Sequence, residues 1–189
     1  MKECSEAAIG EFSVDWIYVV SGYSKLHIYR SYSPQDIERA FAHDVANCDI
    51  EITAYCDGSG TKGDSPAGIG AVIYRPWAQP ELIAQNIHLG TNNRAELCAV
   101  WAALRAVPCV DQKILVKTDS EYTIGALTKD WIRNANIDLI GNIRLDLAER
   151  PGVRFEHVDG HSGAEGNEIA DRLANIGRKL ITTVSPYEG

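Results

Sequence analysis

The chain has 189 residues, of which 45% are hydrophobic and 23% are charged, and its formal net charge is −8. This composition excludes a disordered chain and is typical of a globular domain with a small appendage. No apolar run approaches the ~20 residues of a membrane helix, and the acidic start MKECSEAAIGEF lacks a signal-peptide pattern, so we expect a cytoplasmic protein, or a nuclear or organellar one in a eukaryote.

The net charge and the cysteines argue against some nucleic-acid-binding, disulfide-bonded and zinc-binding proteins. A net charge of −8 argues against tight nonspecific binding of nucleic acid through phosphate contacts alone. The five cysteines, an odd number without a C-x-x-C pair, predict neither a disulfide framework nor a zinc site. Cys56 and Cys98 lie in apolar segments, and we expect them to be small core residues.

The first 48 residues are predicted to form a ββα unit. Two β-branched and aromatic segments, FSVDWIYVV and KLHIYRSY, flank the turn SGYS, which is a hairpin pattern. Ser33 can cap the helix that Pro34 then begins. We therefore divide the chain into an N-terminal extension of uncertain role (1–48), a main domain (49–182) and a C-terminal tail (183–189).

The main domain is predicted to begin with three antiparallel strands. IEITAYCD alternates apolar and polar residues and ends on Asp57, as a half-buried strand does. A loop rich in turn residues, DGSGTKGDSP, leads into AGIGAVIYR, and the turn PWAQP leads into ELIAQNIHL. A meander of three strands is the simplest arrangement.

Helices and two further strands are predicted to follow. The segment 92–107 is helical, with Leu97, Trp101 and Leu104 on its buried stripe and Glu96 about 100° away. KILVKT is an apolar strand that ends on Asp119, and we expect it to be a crossover strand parallel to the first one.

The remaining elements complete an α/β sheet. Helical segments cover about 121–127 and 136–149, VRFEHV is a strand, and the last helix, about 165–182, has an apolar repeat of Ile169, Leu173, Ile176 and Leu180. The order is β-β-β-α-β-α-β-α. It predicts a mixed five-stranded sheet flanked by helices, with ligands bound outside the carboxyl ends of its parallel strands.

A glycine pattern after the first strand resembles a nucleotide-binding motif but fails the structural requirement. Gly58, Gly60 and Gly63 match G-x-G-x-x-G, which must open a helix to bind a pyrophosphate. The residues that follow are strand-like, and Lys62 precedes a glycine rather than Ser or Thr. We therefore expect no nucleotide cofactor.

Four acidic residues, each at the end of a different predicted element, are the candidate functional group. They are Asp57, Glu96, Asp119 and Asp171. A single Asp at a strand end is usually a turn residue or a cap. Four carboxylates brought together would repel one another and would need divalent cations to ionise fully. Oxygen-only ligation favours Mg²⁺ or Mn²⁺, and a pair of such ions is suited to cutting a phosphodiester.

The segments around these residues carry a specific resemblance. AYCDGSG, TNNRAELCAV, VKTDSEYTIGAL and VDGHSGAEGNEIADRLA resemble the four consecutive signatures of the type 1 ribonuclease H family, over about residues 50–182. The resemblance implies a ribonuclease H-like fold. It also implies endonucleolytic hydrolysis of the RNA strand of an RNA–DNA hybrid by a two-metal-ion mechanism, leaving 5′-phosphate and 3′-hydroxyl ends.

The resemblance also implies roles for single residues. Asp57, Glu96, Asp119 and Asp171 would bind the two ions, with Asp57 shared between them, and His161 would transfer a proton or assist product release. Without the resemblance, a lone His is more often an ordinary surface or core residue, and Asn92 an ordinary helix N-cap. The implied contacts to the hybrid are Gly58, Ser59, Thr91, Asn92, Asn93, Ser120, Glu121 and Trp131.

Several features depart from the family pattern or leave alternatives open. Glu121 stands where many relatives have Gln, and no Lys/Arg-rich insertion follows Arg133, so we expect a weaker grip on the hybrid. The N-terminal extension, net −4 over its first 50 residues, is expected to serve packing or dimerisation rather than hybrid binding. An exonuclease of the wider superfamily and an inactive hybrid-binding module remain the competing functions.

Overall fold

Six strands and four helices make up the part of the chain that the computed structural model describes, namely residues 18–19, 42, 46–61, 65–87, 90–129, 135–160 and 163–180. The strands are β1 (Tyr18–Val19), β2 (Ile52–Ser59), β3 (Gly68–Tyr74), β4 (Glu81–Asn86), β5 (Ile114–Thr118) and β6 (Val153–His157). The helices are α1 (Asn92–Arg105), α2 (Glu121–Thr128), α3 (Ile137–Ala148) and α4 (Glu165–Lys179).

The strands form one mixed sheet in the order β1-β4-β3-β2-β5-β6. Strands β2, β3 and β4 are antiparallel neighbours, whereas β5 is parallel to β2, and β6 is parallel to β5. The predicted mixed five-stranded sheet is therefore confirmed for β2 to β6. The short β1 adds a sixth strand, which pairs antiparallel with β4 at residues Ile83 and Ala84.

Little of the predicted N-terminal unit falls within the described residues. Apart from β1 and the helical positions Ala42 and Ala46, the two predicted strands and the predicted helix lie outside them, as does the tail 183–189. No disulfide joins the cysteines of the described part. None of the helices described here combines the length and the apolar character needed to cross a membrane.

The alternation of β2 divides the interior into two layers. Ile52, Ala54 and Cys56 are at most 1% exposed and belong to the larger core, which α1 covers. Tyr55 faces the other side, where it packs with residues of α4 and β3. Helix α1 thus covers one face of the central strands, and α4 covers the other.

Helix α4 lies on the sheet through small residues rather than through the predicted apolar stripe. Of the apolar repeat noted in the sequence, Leu173 is buried, whereas Ile176 is 40% exposed. The buried face consists of Gly166, Asn167, Ala170, Leu173, Ala174 and Gly177. The physical reason is the close approach of two backbones: a Cβ added at Gly70 of β3 would lie 2.1 Å from the carbonyl oxygen of Ala170.

Because of this contact, Gly70→Ala is expected to destabilise the protein. The added methyl group must push α4 away from β3, and overpacking of this kind costs about 1–3 kcal/mol. Urea unfolding monitored by circular dichroism measures the change in the free energy of unfolding. The matched control is Gly141→Ala in α3, where the added Cβ meets no atom within 4 Å, and it should stabilise by about 0.5–1 kcal/mol. Equal effects of the two substitutions would contradict the close α4–β3 contact.

Candidate active site

The register of two parallel strands brings the first pair of predicted carboxylates together. Tyr55 of β2 is paired with Lys117 of β5, so Asp57 and Asp119 each lie two residues beyond the same rung. A shift of two residues keeps both side chains on one face of the sheet. The two carboxylates therefore stand side by side at the carboxyl ends of the parallel strands, where the strand order predicted a binding site.

The glycine contact of α4 places the third carboxylate on the same face. Gly70 is the antiparallel partner of Asp57, and the position of its missing Cβ lies against the backbone of Ala170 and Ala174. Asp171 follows Ala170 directly. The helix can approach β3 at this level only because residue 70 has no side chain, and this approach brings Asp171 to Asp57.

Helix α1 brings the fourth carboxylate from the opposite face. A Cβ added at Gly58 would lie 2.3 Å from the backbone nitrogen of Glu96, so the helix touches β2 at the residue after Asp57. Glu96 is itself buried, at 8% exposure. The absence of a side chain at residue 58 is therefore what lets Glu96 reach the end of the strand.

The pKa values of Asp57 and Glu96 are raised by burial and by neighbouring carboxylates. Burial raises the pKa of Asp57 to about 7, and the charge of Asp119 adds to the rise; the backbone N–H of Gly58 opposes it, and Asp171 and Glu96 raise it further. Burial also raises the pKa of Glu96; the Ser120 hydroxyl opposes the rise, and Asp119 adds to it. Mutually repelling carboxylates in a cleft are typical of functional sites.

Hydrogen bonds hold Glu96 in a fixed orientation. The amide nitrogen of Asn92 donates to Oε1 of Glu96 and the hydroxyl of Ser120 donates to Oε2. Thr91, rather than Asn92, is the N-cap of α1, because its hydroxyl accepts from the backbone nitrogen of Arg94 at 3.3 Å. Asn92 is thereby available to hold Glu96 and to accept from the backbone nitrogen of Gly60 at 3.0 Å.

One polar residue at the site had not been predicted from the sequence. Asn175 of α4 donates from Nδ2 to Oδ1 of Asp171 at 2.9 Å and accepts at Oδ1 from the hydroxyl of Ser59 at 2.9 Å. The available signal was its spacing, since residues four apart on a helix face the same side.

The loop after β6 also reaches the cluster. A Cβ added at Gly160 would lie 2.9 Å from Oδ2 of Asp119. Nε2 of His157 is 3.2 Å from the backbone oxygen of Asp119. The predicted catalytic residue His161 and the predicted substrate contact Trp131 lie outside the described residues.

The other predicted substrate contacts surround the four carboxylates at different depths. Gly58 is buried and Ser59 is half-buried, whereas Thr91, Asn92, Asn93 and Glu121 are exposed. Ser120 is only 6% exposed and caps α2 by accepting from the backbone nitrogen of Thr123. Their contacts to a substrate stay predictions, and Ser120 already has a structural role in holding Glu96.

The donor set of the cluster fits a hard divalent cation. All four side chains present carboxylate oxygens, which Mg²⁺ and Mn²⁺ prefer. A bound cation would also offset the repulsion and burial that raise the pKa of Asp57. Among the residues that the structure describes, no three His, Cys, Asp or Glu side chains lie close enough together to bind one ion in their present orientations.

Comparisons with known proteins agree with this arrangement. The RNase H family profile matches residues 49–179. A ribonuclease H of Trichodesmium erythraeum is 36% identical over 138 residues, covering 66% of this chain and 86% of that protein. One of Syntrophomonas wolfei is 36% identical over 145 residues, covering 69% and 98%.

A solved structure gives the same result in three dimensions. The crystal structure of LC11-RNase H1 in complex with RNA/DNA hybrid has a TM-score of 0.55 and 25% identity to this chain. The similarity covers 66% of this chain and 97% of that one. Family, sequence relatives and fold thus point to the same class of enzyme.

Proposed function

The chain belongs to the type 1 ribonuclease H family, and from this membership we propose that it is an endonuclease that hydrolyses the RNA strand of RNA–DNA hybrids. The observation that carries the proposal is the placement of Asp57 and Asp119 two residues beyond one rung of the parallel pair. Relatives named ribonuclease H and a fold shared with an enzyme solved on RNA/DNA hybrid support the substrate.

The four carboxylates are proposed to hold two Mg²⁺ or Mn²⁺ ions. When bound, such ions lower the pKa of an attacking water and stabilise the charge of the departing 3′-oxygen, leaving 5′-phosphate and 3′-hydroxyl ends. The charges of the other three carboxylates all raise the pKa of Asp57, and we propose that Asp57 would contribute oxygens to both ions. Asn92 and Ser120 each donate a hydrogen bond to one oxygen of Glu96, which would hold this carboxylate in place for an ion.

Other residues are proposed to supply proton transfer and recognition. His161 follows Gly160, at which an added Cβ would lie 2.9 Å from Oδ2 of Asp119, and we assign His161 to proton transfer or product release. Distinguishing RNA from DNA needs a contact to the 2′-hydroxyl. The amide of exposed Asn93 and the segment around Ser59 can make it, because amides and hydroxyls both donate and accept.

The test is cleavage of an end-labelled RNA–DNA hybrid by the purified protein. With Mg²⁺ present we expect internal cuts in the RNA strand only, and with EDTA present we expect none. A ladder that grows from one end would indicate an exonuclease instead. Binding of the hybrid without any cut, at saturating Mg²⁺, would indicate an inactive hybrid-binding module and would overturn the proposal.

The extension 1–48 is proposed to serve packing. Its strand β1 covers the edge of β4 at Ile83 and Ala84, and uncovered sheet edges invite association. Near its end, the backbone oxygen of Cys48 accepts from the nitrogen of Lys113. A role in dimerisation is compatible with this position, because a sheet edge can also pair with a second copy.

Deleting residues 1–48 should therefore lower stability and leave substrate affinity unchanged. Loss of the few backbone hydrogen bonds, each worth about 1 kcal/mol, should lower Tm by about 5 °C for a chain of this size. Tm, KM for the hybrid and mass by light scattering would be compared with a deletion of residues 1–10, which retains β1. A large rise in KM at unchanged Tm would instead identify the extension as a hybrid-binding element.

A further inference from the structure

A single amide side chain connects the carboxylate on α4 to the strand that carries Asp57. Nδ2 of Asn175 donates both to the backbone oxygen of Asp171, at 3.0 Å, and to its Oδ1, at 2.9 Å. Oδ1 of Asn175 accepts from the hydroxyl of Ser59, at 2.9 Å. The path Ser59–Asn175–Asp171 thus crosses from β2 to α4 within the candidate active site.

This connection restricts Asp171 in a way that its own helix does not. An aspartate side chain on a helix can rotate about two side-chain bonds. When its carboxylate accepts from a fixed amide, one oxygen is held and the other is left for a ligand. The amide is itself held, because its oxygen is bonded to β2. Of the standard side chains, only Asn and Gln can donate to a carboxylate through nitrogen while accepting a hydroxyl through oxygen.

The same arrangement occurs on α1. Asn92 accepts from the backbone nitrogen of Gly60 and donates to Glu96. Residues 59 and 60, which follow Asp57 and Gly58 directly, are therefore each bonded to an amide that holds one carboxylate. Two helices from opposite faces of the sheet are thus each bonded through an asparagine amide to the end of β2 or to the residue that follows it.

We propose that Asn175 is a positioning residue that holds Asp171 in the orientation needed to bind a divalent ion and ties that orientation to Ser59. The inference rests on the proposed function, since it concerns the ion that Asp171 would bind. It extends that function by assigning a role in ion affinity to a residue that is not itself a ligand. Partners of this kind typically contribute 10–100-fold to metal affinity or activity.

The test is direct binding of Mn²⁺ to the full-length protein, measured by calorimetry without substrate, together with the Mn²⁺ concentration that gives half-maximal hybrid cleavage. In Asn175→Ala, both the dissociation constant and the half-maximal concentration should rise by about 10–100-fold, and saturating Mn²⁺ should restore most of kcat. Asn175→Leu keeps the branched shape and the number of heavy atoms of the side chain but removes its hydrogen bonds, and it should behave like the alanine variant. The control is Asn142→Ala on the exposed side of α3, which should match the wild type.

Each result decides the proposal. Unchanged Mn²⁺ affinity in Asn175→Ala, or affinity restored by leucine, would mean that Asn175 only fills space, and the proposal would be overturned. If the Asn175 variants do not fold, Ser59→Ala removes the far end of the connection alone and should still weaken Mn²⁺ binding by several-fold; unchanged affinity there would also overturn it. Failure of the wild type to cleave at any Mn²⁺ concentration would instead contradict the proposed function.

Discussion

Asp119→Asn is expected to abolish hybrid cleavage while leaving hybrid binding intact. The substitution preserves size and removes the charge that stands beside Asp57 at the ends of β2 and β5. Loss of one ion ligand removes several kcal/mol of transition-state stabilisation, so kcat should fall by about 10³-fold or more. Single-turnover cleavage of a labelled hybrid measures the rate, and fluorescence anisotropy measures binding.

The control for this substitution is Asp111→Asn. Asp111 is an exposed residue in the turn before β5, so the same chemical change is made at the other end of the same strand, and turnover should be unaltered. Hybrid affinity of the Asp119 variant should equal or exceed that of the wild type, because one negative charge near the phosphates is lost. Turnover within tenfold of the wild type would remove Asp119 from the mechanism.

The sheet could be predicted from the sequence because its patterns are periodic. The alternation in IEITAYCD, the apolar run KILVKT and the helical segments between them each have one simple interpretation. The helical crossovers then make the later strands parallel to the first one. Asp57 and Asp119 could be brought together in the same way, since both end parallel strands. These inferences require only the period of each element and the rule for crossovers.

The packing of α4 could not be predicted in this way. The sequence shows an apolar repeat at Ile169, Leu173 and Ile176, but besides Leu173 the contact uses Ala170, Ala174 and the glycines of the helix and of β3. A helix pattern ranks residues by hydrophobicity, whereas the contact here is decided by how closely two backbones approach. Small residues carry little hydrophobic signal, so the buried side of such a helix is easily misassigned.

The polar residues that hold the carboxylates also could not be predicted from the pattern of apolar and polar residues in the sequence. Asn92 had an ordinary explanation as an N-cap, but Thr91 takes that role and Asn92 bonds Glu96 instead. Asn175 gave no signal except its spacing from Asp171. Hydrogen bonds between side chains depend on rotamers and on residues distant in sequence, such as Ser59, and these become defined only when the elements have been placed.

The stability of the metal-free protein is expected to fall as pH rises, and Asp57→Asn is expected to remove much of that fall. Burial and the neighbouring carboxylates raise the pKa of Asp57 from 3.8 to about 7. The folded state therefore binds more protons than the unfolded state between these values, and the stabilisation is complete below about pH 4 and lost as pH rises through 7. A pKa change of this size corresponds to about 4 kcal/mol.

Urea unfolding in EDTA at pH 5 and pH 8 measures this effect. At pH 5 the folded Asp57 is still neutral but the unfolded one is already ionised, so the variant should be more stable than the wild type by about 2 kcal/mol, and at pH 8 this difference should grow to about 4 kcal/mol. Some pH dependence should remain in the variant, because the pKa of Glu96 is also raised. The exposed Asp111→Asn should follow the wild type at both pH values. An Asp57→Asn variant that is no more stable than the wild type at pH 8 would mean that burial and the neighbouring carboxylates together do not raise the pKa of Asp57, and a site without that penalty would gain little stability from a bound divalent ion.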